Sequence, residues 1–179
     1  MQDTIAVVFD FDDTLGPDST SAFLASIGVD VRRFWNETVE QLINDGWDPI
    51  PAYLYSLLRL SERGQLCQPI TRNDLQRFGA RALLFPGVTR IFESLRRHLK
   101  ALDTNIQIEF YLISSGIGEI LRNTRIAKHF TDIWACDYAY SADGHLLFPK
   151  NVVSFTDKTR YLFYISKGLH ASATQNKPF

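Results

Sequence analysis

Residues 4–10, TIAVVFD, carry apolar side chains at consecutive positions. Both faces of a strand there would be apolar, which predicts a strand covered by helices on each side. GPD at residues 16–18 breaks the run, and about seventy residues of helical pattern follow. In DVRRFWNETVEQLINDG, Val31, Phe34, Trp35, Val39, Leu42 and Ile43 fall at helical spacing. Asp30 stands where an N-cap belongs, and Gly46 where a terminating glycine belongs. PAYLYSLLRLSERG predicts a second helix, closed by Gly64. TRNDLQRFGARALL predicts a third, opened by Thr71 with Asp74 three residues on.

The pattern changes at FPGVTRIFESLRRHLKAL, where Pro86 and Gly87 punctuate the chain. Val88, Ile91, Phe92, Leu95, Leu99 and Leu102 then form an amphipathic stripe. IQIEFYLISSG reads as a strand ending in small residues, IGEILRNTRIAKHF as a helix and DIWAC as a short strand. YSADGHLLF predicts a hairpin turning at Asp143-Gly144. NVVSFTDKTRYLFYISKG ends in a helix with Gly168 past its end, and residues 169–179 are a polar tail. Helices alternating with apolar strands predict an α/β fold: a mostly parallel, Rossmann-like sheet with helices on both faces. Functional groups in such folds gather at the carboxyl ends of the strands, where Asp10 and Ser114 both lie.

Composition narrows the function classes. Of 179 residues 45% are hydrophobic and 13% aromatic, enough for a packed core. Lys and Arg total 19 against 20 Asp and Glu, a net charge of −1 that offers no footprint for nucleic acid. Cys67 and Cys136 lie far apart without metal-type spacing and read as two reduced, partly buried thiols. His98, His129, His145 and His170 are dispersed without ligand spacing. No apolar run approaches the ~20 residues that span a bilayer, and no secretory signal opens the chain, so a soluble cytoplasmic protein without membrane contact is expected.

The candidate chemistry sits in DFDDT and YLISSG. Like charges that close repel, so stability alone gives no reason to gather Asp10, Asp12 and Asp13 after an apolar strand. A carboxylate at Asp10 can act as a nucleophile or as a hard oxygen ligand for Mg²⁺, and one at Asp12 can shuttle a proton. Thr14 offers a hydroxyl to orient either. Ser114, followed by Ser115 and Gly116 at a helix start, is a candidate phosphate contact. Gly116 and Gly118 make a partial GxG without the third glycine of a dinucleotide fingerprint. Lys158, at the start of the last helix, could neutralise phosphoryl charge and is preferred to Lys150.

DFDDT resembles the DxDxT motif of the haloacid dehalogenase superfamily, whose commonest members are Mg²⁺-dependent phosphatases. The strand ending at Ser114 is similar to its second motif, Lys158 resembles its third, and the helical insertion resembles a C1-type cap in phosphoserine-phosphatase-like members. The resemblance implies an α/β core of residues 1–16 and 85–179, with a helical cap over 17–84. It implies a small phosphorylated metabolite as substrate. Asp10 would attack phosphorus, Asp12 would serve as acid and then base, and Thr14 would fix Asp12. Ser114 and Lys158 would hold phosphoryl oxygens, with Ser115 and Gly116 lining the substrate and Asp10 and Asp12 holding Mg²⁺. Nothing after Lys158 is similar to the superfamily's fourth, acidic motif. The C-terminal strands are therefore expected to be truncated, Mg²⁺ binding weak or absent, and turnover low. The first strand would be left at a sheet edge open to self-association. The alternative is a non-catalytic phosphate- or partner-binding module on the same scaffold. A receiver domain is set aside, because it places its phosphorylated Asp after the third strand and has no helical insertion after the first.

Overall fold

The apolar run at the start of the chain forms β1 (Thr4–Phe9). The structure is a computed structural model that describes residues 4–62, 66–102 and 105–169. Asp18 caps α1 (Ser19–Ser26) by accepting from the Ser21 amide. Asp30 likewise opens α2 (Val31–Arg33) through the Arg33 amide. That helix continues through a π-helical stretch, Phe34–Val39, into α3 (Glu40–Asn44), and Gly46 ends it at φ +91°. Next come α4 (Pro49–Glu62) and α5 (Arg72–Gly79), the latter opened by a complete capping box between Thr71 and Asp74. The second half runs α6 (Val88–Leu102), β2 (Gln107–Ile117), α7 (Gly118–Leu121), β3 (Asp132–Tyr140), β4 (Leu146–Asn151) and α8 (Asp157–Ser166).

The sheet order is β1-β2-β3-β4, with β1, β2 and β3 parallel and β4 antiparallel to β3. This is the α/β, Rossmann-like arrangement that alternating strands and helices predict. Pairing of Phe9 with Leu112 brings Asp10 and Ser114 to the same end of the sheet.

Several elements depart from their predicted form. The first strand is only partly covered: Thr4, Ile5 and Ala6 are exposed, Val7, Val8 and Phe9 pack against the core, and among the described residues β1 pairs with β2 alone at one edge of the sheet. The helix predicted over IGEILRNTRIAKHF stops after four residues. There the backbone bonds tighten to Asn123 on Ile120 and Thr124 on Leu121, at 3.1 and 3.2 Å, while the Asn123 side chain takes the Glu119 carbonyl at 2.7 Å and the Thr124 hydroxyl that of Leu121 at 2.8 Å. The strand begun by DIWAC runs on to Tyr140, carried by pairing with β4 across the predicted turn, where Gly144 takes φ +83°. Cys136 is fully buried and Cys67 exposed, so neither is partly buried. Gly64, predicted to close a helix, and residues 170–179 of the predicted tail lie outside the described residues.

One hydrophobic cluster serves both the helical insertion and the sheet. It joins Phe23, Leu54, Leu57 and Leu75 to Phe110, Leu112, Ile117 and Trp134. Main-chain bonds reinforce the seam: the Arg72 amide donates to Gly144 at 2.8 Å, and the Leu146 amide to Ile70 at 3.4 Å. The Tyr138 hydroxyl, from β3, donates to the Leu54 carbonyl of α4 at 2.6 Å. Among the described residues no helix is long and apolar enough to cross a membrane.

Candidate active site

The turn after β1 is built on one carbonyl. Phe11 accepts the amides of Thr14, Leu15 and Gly16 at 3.1, 2.8 and 3.3 Å, while the buried side chains of Phe11 and Leu15 anchor the loop. The tightness of the turn puts Asp13 at φ +57°, a left-handed conformation that Asp tolerates better than most residues. Asp13 and Thr14 are exposed; Asp10 and Asp12 are half-buried.

The two half-buried carboxylates have different surroundings. Asp10 Oδ1 accepts the Phe11 amide at 2.8 Å, and Oδ2 accepts Lys158 Nζ at 2.7 Å across 148 residues of sequence. Asp12 Oδ1 accepts the Ser19 amide at 2.8 Å at the start of α1, and the Ser114 hydroxyl points to Oδ2 at 3.4 Å. Burial lifts the Asp12 carboxyl above its ordinary range, against the pull of hydrogen bonding from Ser19, and the charges of Asp18 and Asp10 add to the rise. A lysine-paired carboxylate, Asp10, thus stands beside a buried carboxyl, Asp12, whose proton affinity is raised above its ordinary range.

The Ser114–Gly116 stretch, inside β2 where its pairing with β3 is irregular, is packed from within. Ser114 is 0% exposed, and its Oγ accepts the Gly116 amide at 3.0 Å. A methyl group on Gly116 would sit 2.8 Å from Asp12 Oδ2, so only glycine lets this end of β2 come so close to the carboxyl. The Ser115 carbonyl accepts the Tyr53 hydroxyl of α4 at 2.6 Å and the Cys136 thiol at 3.3 Å. Burial pushes that thiol up to about 11, which makes it unreactive.

Of the residues singled out in the sequence, the fold brings Asp10, Asp12, Ser114, Gly116 and Lys158 together. Lys150 is exposed on β4 in a separate polar groove. Thr14 engages Phe11 through its amide, while the hydrogen bonds on Asp12 come from Ser19 and Ser114. Sequence reasoning missed Ser19 and Tyr53. Ser19 was signalled only by its place beside the helix cap Asp18, and Tyr53 was hidden in an apolar stripe.

Asp10 and Asp12 present oxygen donors only, the chemistry Mg²⁺ prefers. Among the described residues no group of three His, Cys, Asp or Glu could hold a metal ion. Mg²⁺ accepts one or two carboxylates completed by substrate phosphate and water, so these residues fit it as a site that substrate helps to build.

Comparisons with known proteins agree with this architecture. No protein-family model matches the sequence. An uncharacterized protein of Borreliella burgdorferi strain B31 is 29% identical over 203 aligned residues, covering 99% of this chain and 70% of that protein. A HAD family hydrolase from Salmonella enterica serovar Typhi superposes with a TM-score of 0.62 at 11% identity. That match covers 94% of this chain and 53% of the hydrolase, so this chain spans about half its length. A phosphoserine phosphatase solved as a phospho-aspartyl intermediate analogue superposes with a TM-score of 0.60 at 13% identity, over 94% of this chain and 74% of that one. The chain has the fold of haloacid dehalogenase-type phosphatases, of the phosphoserine-phosphatase-like kind.

Proposed function

We propose that this protein is a Mg²⁺-dependent phosphohydrolase that cleaves a small phosphomonoester through an aspartyl-phosphate. The observation that carries this reading is the pairing of Asp10 with Lys158 at 2.7 Å, directly beside a buried carboxyl at Asp12 whose affinity for its proton is raised. Asp10 attacks phosphorus, forming an Oδ–P bond as the P–O bond to the alcohol breaks. Asp12 gives its proton to the departing oxygen, then takes one from the water that attacks the acyl phosphate, which returns Asp10 and releases inorganic phosphate. Lys158 holds phosphoryl oxygens. Ser114, being fully buried, acts through Asp12. Bound Mg²⁺, held by the Asp10 side chain and the Asp12 main-chain carbonyl, would supply charge neutralisation at the phosphoryl group. Residues 17–84 act as a cap over a core formed by 1–16 and 85–179.

A generic aryl phosphate tests the proposal. Low turnover with added Mg²⁺, abolished in Asp10→Asn, is expected. Turnover that survives in Asp10→Asn overturns the mechanism. Phosphate binding with no turnover would leave the second reading, a phosphate-binding module on the same scaffold, favoured by the lack of a three-acid cluster among the described residues.

A further inference from the structure

We propose that Tyr53 is a positioning residue through which the helical insertion sets the geometry of the Asp12 carboxyl. This rests on the reading of Asp10 as the nucleophile and Asp12 as the acid–base group. Tyr53 lies on α4, 4% exposed, with its ring 5.8 Å from that of Trp35. Its hydroxyl reaches across the seam to donate to the Ser115 carbonyl at 2.6 Å.

The peptide group it grips is the relevant one. The Ser115 carbonyl and the Gly116 amide belong to a single planar trans unit, so fixing the direction of the carbonyl fixes the N–H on its opposite side. That N–H is the one bonded to Ser114 Oγ at 3.0 Å, and the same hydroxyl points to Asp12 Oδ2 at 3.4 Å. An unbroken chain of contacts thus runs from a helix of the insertion to the proton-carrying carboxyl. The Ser115 carbonyl's other contact, the Cys136 thiol at 3.3 Å, is a weak donor and cannot hold the unit alone. The molecule also contains a natural control. Tyr138 makes an equally short bond in the opposite direction, from β3 to the Leu54 carbonyl rather than to that of Ser115.

The test compares Tyr53→Phe with Tyr138→Phe in the full chain, each of which removes one buried hydroxyl and keeps the ring. In Tyr53→Phe the Gly116 amide proton resonance moves upfield and exchanges faster. The Asp12 carboxyl carbon resonance, read at one fixed pH, shifts from its position in the parent. Aryl phosphate turnover falls about tenfold, mainly in kcat, as loss of one short hydrogen bond in the transition state would give. Tyr138→Phe melts at a comparably lower temperature but leaves the Gly116 amide resonance, the Asp12 carboxyl resonance and turnover as in the parent. Unmoved Gly116 amide and Asp12 carboxyl resonances in Tyr53→Phe, or equal movement in Tyr138→Phe, overturn the proposal. Should Tyr53→Phe fail to fold, 3-fluorotyrosine at position 53 supplies a stronger donor that shifts the Gly116 amide downfield; no shift also overturns it. A parent with no turnover at all defeats the phosphohydrolase reading, whereas the two NMR readouts still decide the role of Tyr53.

Discussion

Asp12 holds a carboxyl where its charge is disfavoured, and this couples chemistry to stability. Burial raises its pKa in the folded state above the unfolded value of about 3.9. The contribution of a raised group is fully present below the unfolded value and is lost as pH rises through the folded one. Once ionised, Asp12 is therefore a net strain on the fold, which the proton transfer proposed for it would explain. Asp12→Asn keeps an acceptor for the Ser19 amide and carries no charge. It should melt a few degrees higher than the parent at pH 7–8, with the difference closing below about pH 4. Melting curves across that range check this, and an equal or lower melting temperature at pH 8 would count against it. The carboxylate cluster was legible in the sequence because nothing in strand packing explains three acids after an apolar run. Tyr53 was not legible, because helical periodicity accounts for its buried ring, and only the fold shows where its hydroxyl goes.

At the level of elements, caps and turns were read more reliably than helix lengths. Asp30, Gly46, the Thr71–Asp74 box and the Asp143-Gly144 turn all stand as the sequence implies, since each is decided by local hydrogen bonds or a positive φ. The π-helical stretch Phe34–Val39 and the early end of α7 have no periodic signature: apolar spacing cannot tell one hydrogen-bond shift from another. Nor could spacing show how α5 meets α7. There a Cβ on Gly79 would collide with the Ile120 carbonyl, a backbone atom that cannot turn aside. Gly79→Ala is expected to lose about 1–3 kcal/mol as the two elements are forced apart. Because the insertion and the sheet share one core, tryptophan emission and far-ultraviolet dichroism should fall at the same lowered temperature. An unchanged melting temperature, or separate transitions for the two probes, would contradict the tight seating.

For the molecule as a whole, the layout of strands and the alternating helices followed from patterning, while the exposure of β1 followed from its neighbours in space. Its sequence TIAVVF has no lysine, proline or glycine to guard an edge. Ile5 is 42% exposed there. Pairing of β1 with its counterpart in a second copy is the expected result, seen as a concentration-dependent rise in sedimentation coefficient that Ile5→Lys suppresses. A parent that sediments as a monomer at all concentrations would dismiss this pairing.

The packing of Trp134 carries an optical consequence. Its indole lies between Tyr111, 5.8 Å away, and Tyr161, 5.2 Å away, with both rings stacked on it. Tyr161 sits on α8, less than one turn beyond Lys158. The helix that delivers the positive charge to Asp10 is thereby pressed against a buried fluorophore, which is 5% exposed. With Trp35 and Trp47 replaced by phenylalanine, the emission of the remaining indole would report how α8 is seated, a gauge of charge delivery that needs no label and no turnover.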